Sequence, residues 1–286
     1  MGWMDNKRAV ITGATSGIGN ETAAALAARG ANVVLACRDR ARAEKAASDI
    51  NASIGTRRVT VMAADTSDQR SIRAFAAEYR NTHGSLDILV NNAGVLLTQR
   101  QVSVDGIELT FATNVLGYHL VIRELLPALE AAAPARIVNV VSTWASAPQL
   151  DDLQFERRPY DGFAAYAESK ACDRLLTWAL ARRLRPELVT VNAVAPGLVL
   201  ETGLYRHIPP NVRREFEQRE LERSGSRTAA QGADTVVWLA SAGYLEGVSG
   251  TFFERRSGIH CEFRDATAEE RIWEACEALT GQLVAR

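Results

Sequence analysis

The chain has no cysteine pair at C-x-x-C spacing, no long run of like charge, no internal repeat and no low-complexity linker. Its four cysteines, Cys37, Cys172, Cys261 and Cys276, are scattered. That scatter excludes a zinc ribbon and a disulfide framework, and it reads as reduced thiols in a cytoplasmic protein. His83 and His260 have no partners in sequence, and His119 lies inside an apolar helix pattern, so no metal site is expected. The net charge of −1 gives neither nucleic acid nor an anionic membrane surface a reason to bind. No apolar stretch long enough for a signal peptide or membrane anchor precedes the first strand, so the chain reads as soluble.

What is present is apolar residue in quantity: 47% of 286 residues, enough for one large core without a second domain. A short apolar run, Ala9-Val10-Ile11-Thr12, reads as a buried strand. It meets Gly13-Ala14-Thr15-Ser16-Gly17-Ile18-Gly19, then an alanine-rich helix from Asn20 to Arg29 stopped by Gly30, then the strand Ala31 to Cys37. Strand, glycine turn, helix and strand form one βαβ unit. Its turn lets backbone N–H groups approach a pyrophosphate at a helix N-terminus.

The alternation continues to the end of the chain. Helices are predicted over Asp39–Ile54, Asp68–Thr82 (N-cap Ser67), Thr110–Ala132, Gly162–Leu184, Thr228–Ser241 and Thr267–Leu279. Strands are predicted over Arg57–Ala64, Leu86–Val90, Arg136–Val141, Val189–Val194 and Gly250–Phe253. Most strands are continuous apolar runs, the pattern of a parallel sheet covered on both faces. The expectation is an α/β chain with a doubly wound parallel sheet of about seven strands, residues 1–286 forming one domain. Segments 146–161 and 198–226 break the rhythm and are expected to shape a site. Within the second, Arg213 to Arg223 alternates charge at helical spacing and reads as a solvated lid helix.

The glycine spacing (Gly13, Gly17, Gly19 after Thr12), Asn91-Asn92-Ala93-Gly94 after a strand, and Tyr166-Ala167-Glu168-Ser169-Lys170 together resemble the short-chain dehydrogenase/reductase family, with its Rossmann-type fold. The resemblance is nearest to the retinol dehydrogenase-like and WW-domain oxidoreductase-like branch. It rests there on Asp105–Asn114, Ala135–Val140, Asp152-Leu153-Gln154 and Glu246–Gly250. It implies a catalytic set of Asn114, Ser142, Tyr166 and Lys170. Tyr166 would move the proton, Ser142 would orient the substrate oxygen, and Asn114 would support a water relay. Lys170 would hold the nicotinamide ribose and lower the phenol pKa, since i and i+4 share a helix face. Cofactor contacts are implied at Gly13, Thr15, Ser16, Gly17, Ile18, Gly19, Asp65, Thr66, Asn91, Ala93, Gly94, Pro196, Gly197 and Val199. Thr202, displaced one position by Glu201, would contact the carboxamide.

Arg38, directly after the second strand, is placed to pair with the 2′-phosphate of NADP, with Lys45 as a second candidate. Asp39 could face a ribose, as in NAD enzymes, or cap the next helix. The cofactor expected is therefore NADP(H) ahead of NAD(H). Trp144, Tyr205 and Phe216 are candidate substrate contacts, among the aromatic and apolar residues Leu150, Phe155, Tyr160, Phe163, Leu198, Leu204 and His207 of the two loops. The reading is a hydride-transferring oxidoreductase that interconverts a bulky, partly apolar ketone or aldehyde and an alcohol. It is expected as a homodimer or homotetramer paired through its long helices. A dinucleotide sensor without turnover and a sugar-nucleotide epimerase or dehydratase are the alternatives.

Overall fold

The computed structural model describes residues 4–281. An eight-stranded sheet runs in the order β3-β2-β1-β4-β5-β6-β7-β8. Its strands are β1 (Arg8–Thr12), β2 (Asn32–Cys37), β3 (Val59–Ala63), β4 (Ile88–Asn91), β5 (Ala135–Val140), β6 (Val189–Ala195), β7 (Phe252–Glu254) and β8 (Ser257–Gly258). The first seven pair in parallel, and β8 turns back antiparallel on β7. The expected seven strands thus become eight. The added strand is two residues long, made by a tight reversal in which Arg255 and Arg256 take φ of 50° and 60°. A strand that short carries no periodicity.

Successive apolar residues of a strand serve opposite faces. Ala9 and Ile11 of β1 face a core shared with α1 (Gly17–Ala28), α2 (Arg40–Ile54) and α8 (Ala229–Ser241). Val10, between them, faces a core built with α3 (Gln69–His83) and α5 (Gly117–Ala132). Phe75 and Tyr79 of α3 are 1% and 0% exposed there, each contributing about 2 kcal/mol of burial by area. Both faces being covered explains why the strands read as unbroken apolar runs.

Helix starts follow their capping chemistry. Asp39 caps α2 by accepting from Arg42 N, so its carboxylate is engaged with the helix. Asp68 caps α3 through Arg70 N and Ser71 N. The Ser67 expected there instead donates its hydroxyl to Asp65. A carboxylate offers more acceptor capacity than a hydroxyl and wins the position.

The long helix before β5 is not uniform. α4 (Leu109–Phe111) passes into a π-helical turn, Ala112–Leu116, before α5. A β-carbon at Gly117 would lie 2.5 Å from the Thr66 carbonyl oxygen, so the turn lies close against the end of β3. Helix α6 (Gly162–Arg183) crosses equally close, because a β-carbon at Gly162 would overlap the Leu97 carbonyl.

Helix α9 (Ala266–Leu279) packs on α6 and α5. Glu277 bonds His119 Nε2 at 2.7 Å, and Trp273 meets that imidazole edge-on with centroids 4.9 Å apart. His119 is thus a core histidine held through Nε2, with Nδ1 buried and without a hydrogen-bond partner among the described residues. Residues from Ala165 to Leu180 of α6 are all buried, with α9, β6 and the π-helical turn packed against that helix. No helix among the described residues is long and apolar enough to cross a membrane.

Candidate active site

The carboxyl ends of β1 to β6 open into one cleft of about 740 Å³. In an open α/β sheet the crevice falls where strand order reverses, here between β1 and β4. The two turns at that point are locked together. Gly13 has φ +64°, and a β-carbon on it would lie 2.7 Å from Ala93 Cα. The Thr12 hydroxyl accepts from Asn92 N at 2.9 Å and Ala93 N at 3.1 Å, while Asn92 Nδ2 donates to the Thr12 and Gly13 carbonyls. Ser16, at the N-cap of α1, makes no side-chain cap. The first N–H groups of α1 are therefore left for a ligand, as an anion site at a helix N-terminus requires.

Thr15, Ser16, Ile18, Asp65, Thr66, Ala93, Gly94, Pro196, Gly197, Val199 and Thr202 all border the cleft, with Gly13 and Arg38. Gly17, Gly19 and Asn91 are not among the residues bordering it, and each is closely packed. Gly17 faces the Thr202 methyl group, and a β-carbon on Gly19 would lie 2.4 Å from Asn92 Nδ2. Asn91 is fully buried and donates to Asn139 Oδ1 at 2.9 Å. Thr12 and Asn92, which sequence reasoning left out, do the joining. A threonine ending a strand opposite an asparagine ending its neighbour is the signal that could have found them.

At the end of β2, Arg38 is 64% exposed and stands 3.7 Å from Asp65. An exposed pair at that distance contributes about 0–1 kcal/mol, so the guanidinium is free to change partner. Lys45 is directed instead to Asp49 at 2.6 Å along α2 and does not reach the cleft.

Tyr166, Ser142 and Lys170 border the cleft together. Burial pushes the Tyr166 phenol well above its ordinary pKa. The Tyr205 side chain adds to this, and a hydrogen bond with Ser142 works against it. The expected lowering by Lys170 is not what this geometry gives. The Lys170 ammonium donates to the Val140 carbonyl at 3.1 Å and to Asp173 Oδ2 at 2.9 Å. Asp173, one turn along α6, draws the charge away from the phenol. Asn114 lies behind the cleft in the π-helical turn, where its amide bonds both backbone groups of Val95 and the Ser169 hydroxyl.

Arg174 was also absent from the sequence reading. Its guanidinium lies over Phe252 and Phe263, at 4.2 and 5.1 Å from their centroids, and donates to the Ser142 carbonyl. The backbone carrying the Ser142 hydroxyl is thereby fixed.

The aromatic side of the cleft is contributed unequally by the two expected loops. Trp144 stacks on Phe216 at 5.2 Å and stands 5.3 Å from Tyr166, with Tyr205 5.6 Å from Phe216. Leu198, Leu204, Tyr205, His207 and Phe216 all border the cleft. Segment 146–161 contributes none of its residues. Arg158 of that segment pairs with Glu168 at 2.6 Å and covers the Phe155 ring at 3.6 Å, and Tyr160 bonds Glu108. Its polar and aromatic groups are satisfied inward, which makes it packing rather than pocket wall.

Residues 7–212 match the sequence profile described as short chain dehydrogenase. A Streptomyces antibioticus protein named "Probable oxidoreductase" is 40% identical over 95% of this chain and 96% of its own. Human retinol dehydrogenase 12 is 39% identical over 96% of this chain and 87% of its own. The crystal structure of an uncharacterized protein from Mycobacterium paratuberculosis superposes with a TM-score of 0.78 at 28% identity, covering 100% of this chain and 97% of that one. The chain therefore belongs to the short-chain dehydrogenase family, in its retinol dehydrogenase-like branch, whose chemistry is oxidoreduction with a nicotinamide dinucleotide.

Proposed function

We propose that the protein is an NADP(H)-dependent oxidoreductase that interconverts a bulky, partly apolar ketone or aldehyde with its alcohol. The observation that carries this reading is one continuous cleft with the glycine turn and Arg38 lining one part and Ser142, Tyr166 and Trp144 another. The fit to a dinucleotide rests on the uncapped start of α1 and the exposed Arg38 guanidinium, loosely paired with Asp65, at the end of β2. A bound nicotinamide supplies or accepts the hydride.

The chain's own groups then handle the oxygen and the proton. The Ser142 hydroxyl holds the substrate oxygen, and Tyr166 gives its phenolic proton to it in reduction or removes it in oxidation. A phenol held protonated by burial suits the reduction direction. Lys170 fixes the ribose side of the site, and Arg174 holds the Ser142 backbone in place. Trp144, Tyr205 and Phe216 form an apolar wall beside Tyr166 that favours a ring or branched chain over a small polar carbonyl.

Parallel fluorescence titration with NADPH and NADH tests the cofactor part. At least tenfold tighter NADPH binding is expected, with the preference reduced by about fivefold or more in Arg38→Ala, because a charge-assisted phosphate contact contributes about 1.5–3 kcal/mol. Tighter NADH binding would overturn the choice of NADP(H).

A further inference from the structure

The short turn Gly203–His207 sits directly on the glycine loop. A β-carbon on Gly17 would lie 3.0 Å from the Thr202 methyl and 3.4 Å from the Glu201 carbonyl oxygen. A β-carbon on Gly203 would lie 2.9 Å from Arg206 Nη1 and 3.8 Å from Ser16 Oγ. Arg206 Nη1 and Ser16 Oγ therefore both approach Gly203, and both residues border the cleft. The Arg206 guanidinium bonds His207, Nε to Nε2 at 2.9 Å, and makes no ion pair among the described residues.

Two further guanidinia, those of Arg38 and Arg42, border the same cleft. Their charges reach Arg206. Partial burial, then Arg38 and Arg42, hold its pKa below the ordinary arginine value. His207 is lowered likewise by partial burial, Arg206 and Arg38. The nearby carboxylates are already engaged. Asp39 accepts from Arg42 N, and Asp65 accepts from Ser67 N and its hydroxyl while facing Arg38. Three guanidinia bordering one cleft suit a multiply charged anion, and planar N–H forks match a phosphate.

The same turn carries a second group. Tyr205, one residue earlier, is 5% exposed and packs against Phe216 of α7 (Pro210–Ser224), which stacks on Trp144. Arg206 thus belongs to the cofactor part of the cleft while its neighbour belongs to the aromatic wall.

We propose that Arg206, assisted by His207, binds the ribose 2′-phosphate from the side opposite Arg38, and that this contact fixes the turn bearing Tyr205 and so the aromatic wall. This rests on the reading that the cofactor is NADP(H). The 2′-phosphate then acts in two places. It selects the cofactor, and it orders the segment against which the carbonyl compound packs.

The test uses 2′,5′-ADP and 5′-AMP as probes, by isothermal titration calorimetry, on the full chain and on Arg206→Gln and Arg38→Gln. The wild type is expected to prefer 2′,5′-ADP by at least about tenfold. Arg206→Gln should weaken 2′,5′-ADP binding by about five- to tenfold and leave 5′-AMP unchanged. If Arg38→Gln loses the preference while Arg206→Gln keeps it, the NADP(H) reading stands and the role of Arg206 falls. If the wild type shows no preference, both fall together. Equal loss of both probes in Arg206→Gln would show a structural defect and would also overturn the assignment.

Limited trypsin digestion reads the coupling separately. Saturating 2′,5′-ADP should slow cleavage at Arg213, Arg214 and Arg219 in the wild type by about threefold or more, with no such protection in Arg206→Gln or from 5′-AMP. Equal protection in Arg206→Gln would overturn the ordering of the wall.

Discussion

Around the glycine turn the cleft is walled by backbone, whereas around Trp144 it is walled by side chains. The turns after β1 and β4 are held by hydrogen bonds from Thr12 and Asn92 to main-chain groups and by the absence of β-carbons at Gly13 and Gly19. Such a wall has little freedom to vary, because nearly every atom is also part of the sheet's termination. The aromatic wall depends on Phe216, 3% exposed, on a helix most of whose other residues are polar or charged. Its contacts are ring on ring, so substitution changes the shape of the space without touching the sheet. The backbone-walled region is suited to an invariant ligand and the side-chain-walled region to a particular substrate.

The two regions meet at Tyr166, and the largest effect is expected there. Tyr166→Phe removes the proposed proton donor while keeping the ring that packs on Trp144 at 5.3 Å. Turnover with a carbonyl substrate should fall by about 10²–10⁴-fold with dinucleotide affinity unchanged. Retained turnover would mean that the proton comes from elsewhere. The comparison is sharpened by Phe216→Ala, which opens the stack of Trp144, Phe163 and Tyr205. Here KM for a bulky carbonyl compound should rise by about tenfold while dinucleotide binding changes less than twofold. An equal loss in both would show that the two walls are not separable.

The same contrast decides what could be read before the fold was known. The βαβ units and the glycine turn are local in sequence, so their spacing alone placed them. Asp39 as a cap was legible for the same reason, since its acceptor role involves Arg42, three residues on. The non-local pieces were not legible. Thr12 meets Asn92 across the sheet, Arg174 reaches the Ser142 carbonyl, and Arg206 comes to the cleft from a segment beyond the sixth strand. The loop 146–161 misled because its aromatic residues look like a pocket wall in one dimension. In three dimensions Arg158 and Glu168 turn that loop inward. Asp173 lay within reach of a local argument, three residues from Lys170, yet only burial reveals its weight.

That carboxylate leads to the smallest expected effect and a test of how far Lys170 can act on Tyr166. Asp173 is fully buried, and burial raises it to about 7 although Lys170 and Arg174 pull it down. It faces the Lys170 ammonium and the Arg174 guanidinium on α6, the phenols of Tyr166 and Tyr118, and the thiols of Cys172 and Cys276. Because the folded-state pKa lies above the unfolded one, its proton favours the folded state at low pH. That contribution is lost as pH rises from about 4 through 7. Above 7 its negative charge raises the phenol of Tyr166 further and cancels part of the field of Lys170. Asp173→Asn keeps the shape and removes the charge. In the alcohol-oxidation direction, where Tyr166 must lose its proton, the rising limb of kcat should move to lower pH by about half a unit. The stability decline between pH 4 and 7 should flatten at the same time, followed by urea melts across that window. A flattened stability profile with an unmoved kinetic limb would leave Asp173 a structural partner of Lys170 with no hold on the phenol. A moved limb would make the i+3 carboxylate, together with the i+4 lysine, the setting of the proton donor.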